Sequence, residues 1–195
     1  MEYLEKKKLT DNTLVAFIVD NGWVQETGPV PRNGVWFSDK SKQSPYDGGL
    51  RTPVILTWPG RINPERRYEL VSAIDLAPTI LRACGVEPPA VMTGADLIAV
   101  AGGQLDLKDR PVFGEVYVHS EVALNDPARS LLYRVVRQGE WKLILPFDRE
   151  KPAELYHVSK DPTEEINLTG EHPERVKHLT GLLDQWWKPR EIVAE

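Results

Sequence analysis

The sequence predicts an α/β protein followed by a small antiparallel-sheet subdomain that is covered by a C-terminal helix. Two apolar runs without alternation, residues 14–19 and 54–58, are typical of strands covered on both faces. Short strand-like segments in the second half precede a stretch with helical spacing of its apolar residues. Apolar residues make up 41% of the 195 residues, so the chain can bury a core.

The first elements read as the end of a helix followed by a strand. Tyr3 and Leu4 precede the sequence EKKK, and lysines are favoured in the last turn of a helix because they interact with its dipole. The chain is therefore expected to begin within an element. Residues 14–19 and 54–58 are expected to lie in one parallel sheet, with the long loop 22–51 at the ends of its strands.

A helix is predicted next, within the sequence SAIDLAPTILRACGV. Asp75 is its expected N-cap, Pro78 fits its first turn, and Gly85 is its expected end. The Pro- and Gly-rich segment 87–109 then predicts a passage between two units. Residues 1–108 are assigned to the α/β core and residues 109–195 to the subdomain.

The subdomain is expected to contain four strands and one helix. The strands are predicted at residues 112–118, 131–137, 141–145 and 154–158, and the sequence QGE joins the middle two as a hairpin. The helix is expected to start at Pro173 and to stop before Pro189. Its inner stripe is predicted to contain Val176, Leu179, Leu183 and Trp186.

Charge and composition exclude several classes of partner. The formal net charge is -5, and Lys and Arg are scattered among Asp and Glu. The sequence therefore contains no basic stripe of the kind that binds nucleic acid or an anionic membrane surface. No apolar run is long enough to span a bilayer. The single cysteine, Cys84, excludes an internal disulfide framework and any multi-cysteine metal site.

The first apolar strand ends on Asp20, Asn21 and Gly22. In an open α/β sheet, ligands gather at the carboxyl ends of strands, so these side chains leave the core where a site is expected. Carboxylate and amide oxygens suit a hard cation such as calcium or magnesium. Asp-Asn-Gly is also favourable turn chemistry, so the triplet by itself is consistent with a simple turn.

Further segments resemble the sulfatases, the formylglycine-dependent enzymes of the alkaline phosphatase superfamily. The sequence SKQSPYDGGLRTP matches the family pattern Y-[DE]-G-G-x-R-x-P, and it is followed by WPGRI, SAIDLAPTIL and ELYHVSKDPTEEINLT, each of which is similar to a family signature. The resemblance covers nearly the whole chain. It implies the C-terminal part of an alkaline-phosphatase-like sheet sandwich and the hydrolysis of sulfate esters.

The resemblance also implies roles for individual residues. Asp20 and Asn21 match an Asp-Asn pair that binds calcium, and Lys42 lies at the offset of a lysine that contacts sulfate. Lys40 lies two residues away and is an equally good candidate by residue type. Only the position of the lysine in the family pattern favours Lys42. His119, after a predicted strand, is a weak candidate for a residue that faces substrate. The implied substrate is a sulfated carbohydrate, a sulfated glycan or an aryl sulfate.

Several features that the resemblance implies are missing from the sequence, among them a further pair of aspartates for the same calcium ion and a further catalytic lysine and histidines. The segment C/S-x-P-S-x-R, which supplies formylglycine, does not occur, and Cys84 lies instead in RACGVEPP. The chain alone is therefore expected to be inactive, either as a fragment of a longer product or as an inactive remnant. Alternatives are a non-catalytic binding or assembly module, and a phosphodiesterase or phosphatase of the same superfamily. Unpaired sheet edges are expected to favour association of the chain.

Overall fold

The computed structural model describes residues 1–22, 39–120, 122–123 and 125–189. Its contacts separate two compact units, Met1–Asp20 with Pro53–Arg110 and Asn21–Thr52 with Pro111–Glu195. The division into domains near residue 108 remains a proposal; in the observed grouping, residues 21–52 belong to the second unit. Within the part of the chain described, no helix combines the length and apolar character needed to cross a membrane.

Helices and strands of the described residues are both short. The α-helices are α1 (Glu2–Lys6), α2 (Asp47–Leu50), α3 (Leu76–Ala83), α4 (Leu97–Ala101) and α5 (Pro173–Trp186), with short 3-10 helices at Thr10–Asn12, Ala73–Asp75 and Pro127–Ser130. The strands are β1 (Val15–Ile18), β2 (Val54–Thr57), β3 (Val112–Tyr117), β4 (Leu131–Gln138), β5 (Trp141–Pro146) and β6 (Glu154–His157).

The two strands of the first unit pair with each other, but the predicted parallel direction is wrong. β1 and β2 are antiparallel, with Val15 opposite Thr57 and Ile18 opposite Val54. An apolar run without alternation predicts cover on both faces, yet it carries no information about strand direction. Among the described residues the cover is also incomplete, because Phe17 is 54% exposed and Ile55 is 53% exposed.

Asp75 occupies the N-cap position of α3, as predicted, but its side chain makes no capping hydrogen bond to that helix. It instead forms a capping box with Ser72, the N-cap of the preceding 3-10 helix, and its carboxylate accepts a hydrogen bond from the Ser72 amide at 2.8 Å. Asp75 is fully buried, and it also pairs with Arg110 at 2.7 Å and accepts from the Ala95 amide at 2.7 Å. A buried carboxylate requires such partners, and this demand explains its position inside the turn.

The second unit contains the predicted antiparallel sheet. Its strand order is β3-β4-β5-β6, and each neighbouring pair is antiparallel. All four strands lie within a residue or two of the predicted ranges because each is a short run rich in apolar, β-branched and aromatic residues between turn signals. Gly139, with φ of 56°, allows the tight turn between β4 and β5.

Helix α5 covers one face of this sheet, as predicted. Leu179 and Leu183 are fully buried and pack with Val136, Leu143 and Leu155 in one core cluster. Full burial of each leucine contributes about 1.5–3 kcal/mol relative to an exposed side chain. Trp186, the last residue of the predicted stripe, lies at the margin of this cover: it is 43% exposed and stacks on Phe113 at 4.8 Å.

Candidate functional site

The predicted metal-binding pair lies at the end of β1. Asp20 is exposed and Asn21 is partly buried. The next residue, Gly22, donates its amide hydrogen to the Gly49 carbonyl at 2.8 Å. A Cβ atom on Gly22 would lie only 2.1 Å from the Gly48 carbonyl oxygen, so no other residue fits. The bend after Asp20 and Asn21 is therefore pressed against the glycine pair of the Tyr-Asp-Gly-Gly motif.

The predicted sulfate-binding lysine lies on the other side of the same glycine pair. We call residues 41–46 the Lys42 segment. A Cβ atom on Gly49 would lie 2.4 Å from the Ser41 carbonyl oxygen and 2.5 Å from that of Ser44, so the segment runs directly over Gly49. Glycine is thus needed at position 49 because backbone atoms approach closely. Backbone conformation is not the reason, since the φ angle of Gly49 is not positive. Gly49 brings together the chain next to Asn21 and the chain next to Lys42.

Lys40 and Lys42 have different surroundings, although the sequence alone does not separate them. The Lys40 Nζ atom donates to the carbonyls of Thr163 and Glu164 at 3.0 and 2.6 Å, and it pairs with Glu165 at 3.1 Å. It also lies over the Tyr46 ring, 5.1 Å from the centroid. Lys40 thus fastens the start of this loop to residues 163–165. Lys42 is partly buried within the segment that passes over Gly49.

The aspartate of the Tyr-Asp-Gly-Gly motif belongs to a group of four charged side chains. We call this group the Asp47 cluster: Asp47, Arg137, Lys142 and Glu164. Lys142 Nζ lies 2.9 Å from Asp47 Oδ1 and 2.7 Å from Glu164 Oε1. Arg137 pairs with the other Asp47 oxygen at 3.0 Å, and Glu164 accepts from the Asp47 amide at 2.6 Å. The two cations balance the two anions, so the cluster carries no formal net charge.

Two members of the cluster are deeply buried, whereas Arg137 and Asp47 are partly exposed. The side chains of Lys142 and Glu164 are each 2% exposed. Burial raises the pKa of the Glu164 carboxyl, and the nearby Lys142 ammonium opposes that shift. Glu164 also has a φ of 56°, in the left-handed region that non-glycine residues rarely adopt. The surrounding contacts hold it in that conformation.

A second polar contact joins the motif to β6. The hydroxyls of Tyr46 and Tyr156 both donate to the Glu154 Oε2 atom, at 2.9 and 2.5 Å. Burial and the Glu154 carboxylate raise the pKa of both tyrosines, so they remain protonated donors. The Tyr-Asp-Gly-Gly motif and the segment that begins at Glu154 are far apart in sequence, but they are in contact on the subdomain sheet.

Sequence reasoning missed Lys142 and Glu164. The signal for Lys142 was a lysine within the otherwise apolar strand WKLIL, since a lysine in a buried strand requires an anionic partner. Glu164 lies in the sequence ELYHVSKDPTEEINLT, which resembles a family signature, and this place was the signal for it. His119 lies two residues beyond β3 and is exposed. Its role stays a prediction.

Asp20 and Asn21 fit one part of a calcium site. Asp20 and Asn21 offer the oxygen ligands that calcium prefers, but calcium takes about 6–8 such ligands. Among the residues that the structure describes, no group of three or more His, Cys, Asp or Glu side chains could hold a metal ion. The pair fits the chemistry of calcium as part of a ligand set.

Comparisons with known proteins agree with these observations. The family described as N-sulphoglucosamine sulphohydrolase, C-terminal, matches residues 35–187. The chain is 27% identical to an N-acetylgalactosamine-6-O-sulfatase of Bacteroides thetaiotaomicron, covering 94% of this chain and 38% of that protein. It is 32% identical to human arylsulfatase A, covering 83% of this chain and 34% of that protein.

Solved structures share the fold. One is a protein in complex with its substrate D-glucosamine-2-N,6-O-disulfate; it is 28% identical, with a TM-score of 0.69 over 95% of this chain and 36% of that one. The likeness to solved structures confirms the predicted fold class, an α/β protein that corresponds to the C-terminal part of an alkaline-phosphatase-like fold. The chain thus spans less than half the length of the relatives named here.

Proposed function

Because this chain belongs to the sulfatase family, we propose that it forms the C-terminal part of an enzyme that hydrolyses sulfate esters of carbohydrates. The observation that carries the proposal is the packing of the chain next to Asn21 and of the Lys42 segment on the same residue, Gly49. One relative is named for a sulfated sugar and one solved structure contains a sulfated sugar as its substrate, which supports a sulfated carbohydrate or glycan as substrate. Another relative is named an arylsulfatase, so an aryl sulfate is tested beside the sugar.

Lys42 is proposed to bind the sulfate group. A sulfate ester carries negative charge that grows on the leaving oxygen as the S–O bond breaks, so fixed cations near the site stabilise the transition state. The offset implied by the family resemblance favours Lys42 over Lys40, and the contacts of Lys40 with residues 163–165 give Lys40 a structural role. A lysine ammonium is a compact charge on a flexible stem and can follow the sulfate oxygens during reaction.

Asp20 and Asn21 are proposed to supply two oxygen ligands to a calcium ion. The remaining ligands would come from outside the described residues. When bound, calcium would neutralise charge on the sulfate oxygens. The contribution of this chain is to hold the two ligands at the end of β1, with Gly22 fastened to Gly49 directly behind them.

The nucleophile would also come from outside this chain, since the formylglycine segment does not occur in its sequence. The direct test is a chimera in which this chain replaces the matching C-terminal residues of the Bacteroides sulfatase. Its activity is measured as sulfate released from N-acetylgalactosamine 6-sulfate and from an aryl sulfate. We expect release from the sugar substrate.

The chimera allows a matched pair of variants. Lys42→Ala should lower kcat/KM by about 100-fold or more, the usual effect of losing one group that stabilises transition-state charge. Lys40→Ala removes the same charge two residues away and should leave activity within about tenfold, because its contacts are structural. A folded chimera in which the two variants lose activity equally would contradict the role of Lys42. A folded chimera without activity would favour a non-catalytic binding module.

A further inference from the structure

The Asp47 cluster has a composition that stability alone does not explain. A buried ion cluster loses the hydration of every charge, and well-packed apolar side chains of similar volume often stabilise a fold as well or better. Lys142 nevertheless interrupts the apolar strand β5, between Trp141 and the fully buried Leu143. Charged groups add directional contacts, which fix the position of their partners.

The partner whose position is fixed is the first residue of α2. Asp47 receives contacts on three atoms: both carboxylate oxygens bind cations from β4 and β5, and its amide binds Glu164. The amides of Gly49 and Leu50 donate to the Tyr46 carbonyl, so fixing Asp47 also fixes the turn that follows.

This turn supports the Lys42 segment. Gly49 is in direct contact with the backbone of Ser41 and Ser44, on either side of Lys42. Gln43, the residue after Lys42, has a φ of 68°, and such conformations persist only where surrounding contacts hold them. The path from the subdomain sheet to Lys42 therefore runs through Asp47 and Gly49.

We propose that Lys142 and Glu164 are positioning residues, which hold the Lys42 segment in the geometry that binds sulfate. The proposal rests on the proposed role of Lys42 in the sulfatase reaction. It assigns the subdomain sheet a part in substrate binding, exerted through Asp47 without contact between these two side chains and the substrate.

The test uses the full 195-residue chain and separates positioning from stability. The double variant Lys142→Met/Glu164→Leu replaces a charged pair by an apolar pair, a change that buried ion pairs often tolerate. Amide hydrogen exchange should become at least about tenfold faster at residues 44–50 than in the unsubstituted chain, while residues 141–145 change little. The matched control is Arg134→Met. It removes a different ion pair of the second unit, between Arg134 in β4 and Asp184 in α5.

The control should not selectively accelerate exchange at residues 44–50. If the double variant leaves exchange there unchanged, or if Arg134→Met accelerates it equally, the positioning role is overturned. The single variant Lys142→Arg keeps the charge and should restore part of the protection. This rescue keeps the test informative if the double variant folds poorly.

A titration with sodium sulfate, against sodium chloride at equal ionic strength, links the cluster to function. Amide shifts at residues 41–50 should saturate, should be lost in Lys42→Ala, and should require about fivefold more sulfate in the double variant. Faster exchange with unchanged sulfate affinity would overturn the link to Lys42. If sulfate causes no saturable shift in the unsubstituted chain, that result counts against the proposed function. The amide exchange experiment would still decide whether the Asp47 cluster holds the Lys42 segment.

Discussion

The two units use similar apolar strands but bury them very differently. In the first unit, Phe17 and Ile55 are more than half exposed although they belong to strongly apolar strands. In the second unit, Val136, Leu143 and Leu155 are fully buried under α5. In the part of the chain that the structure describes, a helix covers the second sheet and no comparable element covers Phe17 and Ile55. An apolar sequence favours a strand, whereas burial requires a partner for each face.

The largest effect is expected where the cover is complete. Leu179→Ala in α5 should lower the free energy of unfolding of the second unit by about 2–5 kcal/mol, because it leaves a cavity against the sheet. Ile55→Ala in β2 should lower that of the first unit by only about 0.5 kcal/mol, since the side chain is already exposed. Urea unfolding followed by tryptophan fluorescence and circular dichroism measures both. Equal losses would remove the comparison.

A smaller effect is expected at the polar centre of the first unit. Asp75→Asn removes the charge that pairs with Arg110 but keeps the shape of the side chain, and it should cost about 1–3 kcal/mol. Asp106→Asn is the matched control, because that exposed carboxylate accepts only a local hydrogen bond from the Lys108 amide at 2.8 Å. Thermal unfolding of both variants decides the matter. A control that destabilises as much as Asp75→Asn would show that the buried pair is unimportant.

The smallest effect concerns pH and the second unit. Burial raises the pKa of Glu115 in β3 above its ordinary value of 4.5, and Arg134 opposes the shift. The folded chain therefore binds a proton more tightly than the unfolded chain, so this contribution to stability is present below pH 4.5 and declines as pH rises through the folded-state pKa. Glu115→Gln should remove that decline. Urea unfolding at several pH values would contradict this if both proteins lose stability identically.

Sequence reasoning predicted the subdomain better than the first unit, for a physical reason. The strands near Val112, Leu131, Trp141 and Glu154 are defined by short apolar and aromatic runs between local turn residues, which the sequence contains. The direction of β1 relative to β2 depends on chain connections and neighbours, which local patterns do not encode. The family resemblance proposes Lys42 as a site residue, a prediction that stays open, but the partners of Asp47 lie about 90 or more residues away and are visible only in the fold.

The candidate site shows the same limit at single residues. Gly22 and Gly49 are visible in the sequence, but the reason why each must be glycine is visible only in the fold. A Cβ atom at Gly22 would lie 2.1 Å from a backbone carbonyl oxygen, and one at Gly49 would lie 2.4 Å from another. The roles of Asp20, Asn21, Lys42 and His119 stay predictions until ligand binding is measured.

The measurement that tests the central claim most directly is amide exchange in the isolated chain and in the sulfatase chimera. If this chain is the C-terminal part of a sulfatase, residues 15–18 and 54–57 should exchange fast in the isolated chain and at least about 100-fold more slowly in the chimera. Residues 135–145 should exchange slowly in both. A monomeric isolated chain whose slowest exchange lies in residues 15–18 would contradict the account, because its first unit would then be stable without any further sulfatase sequence.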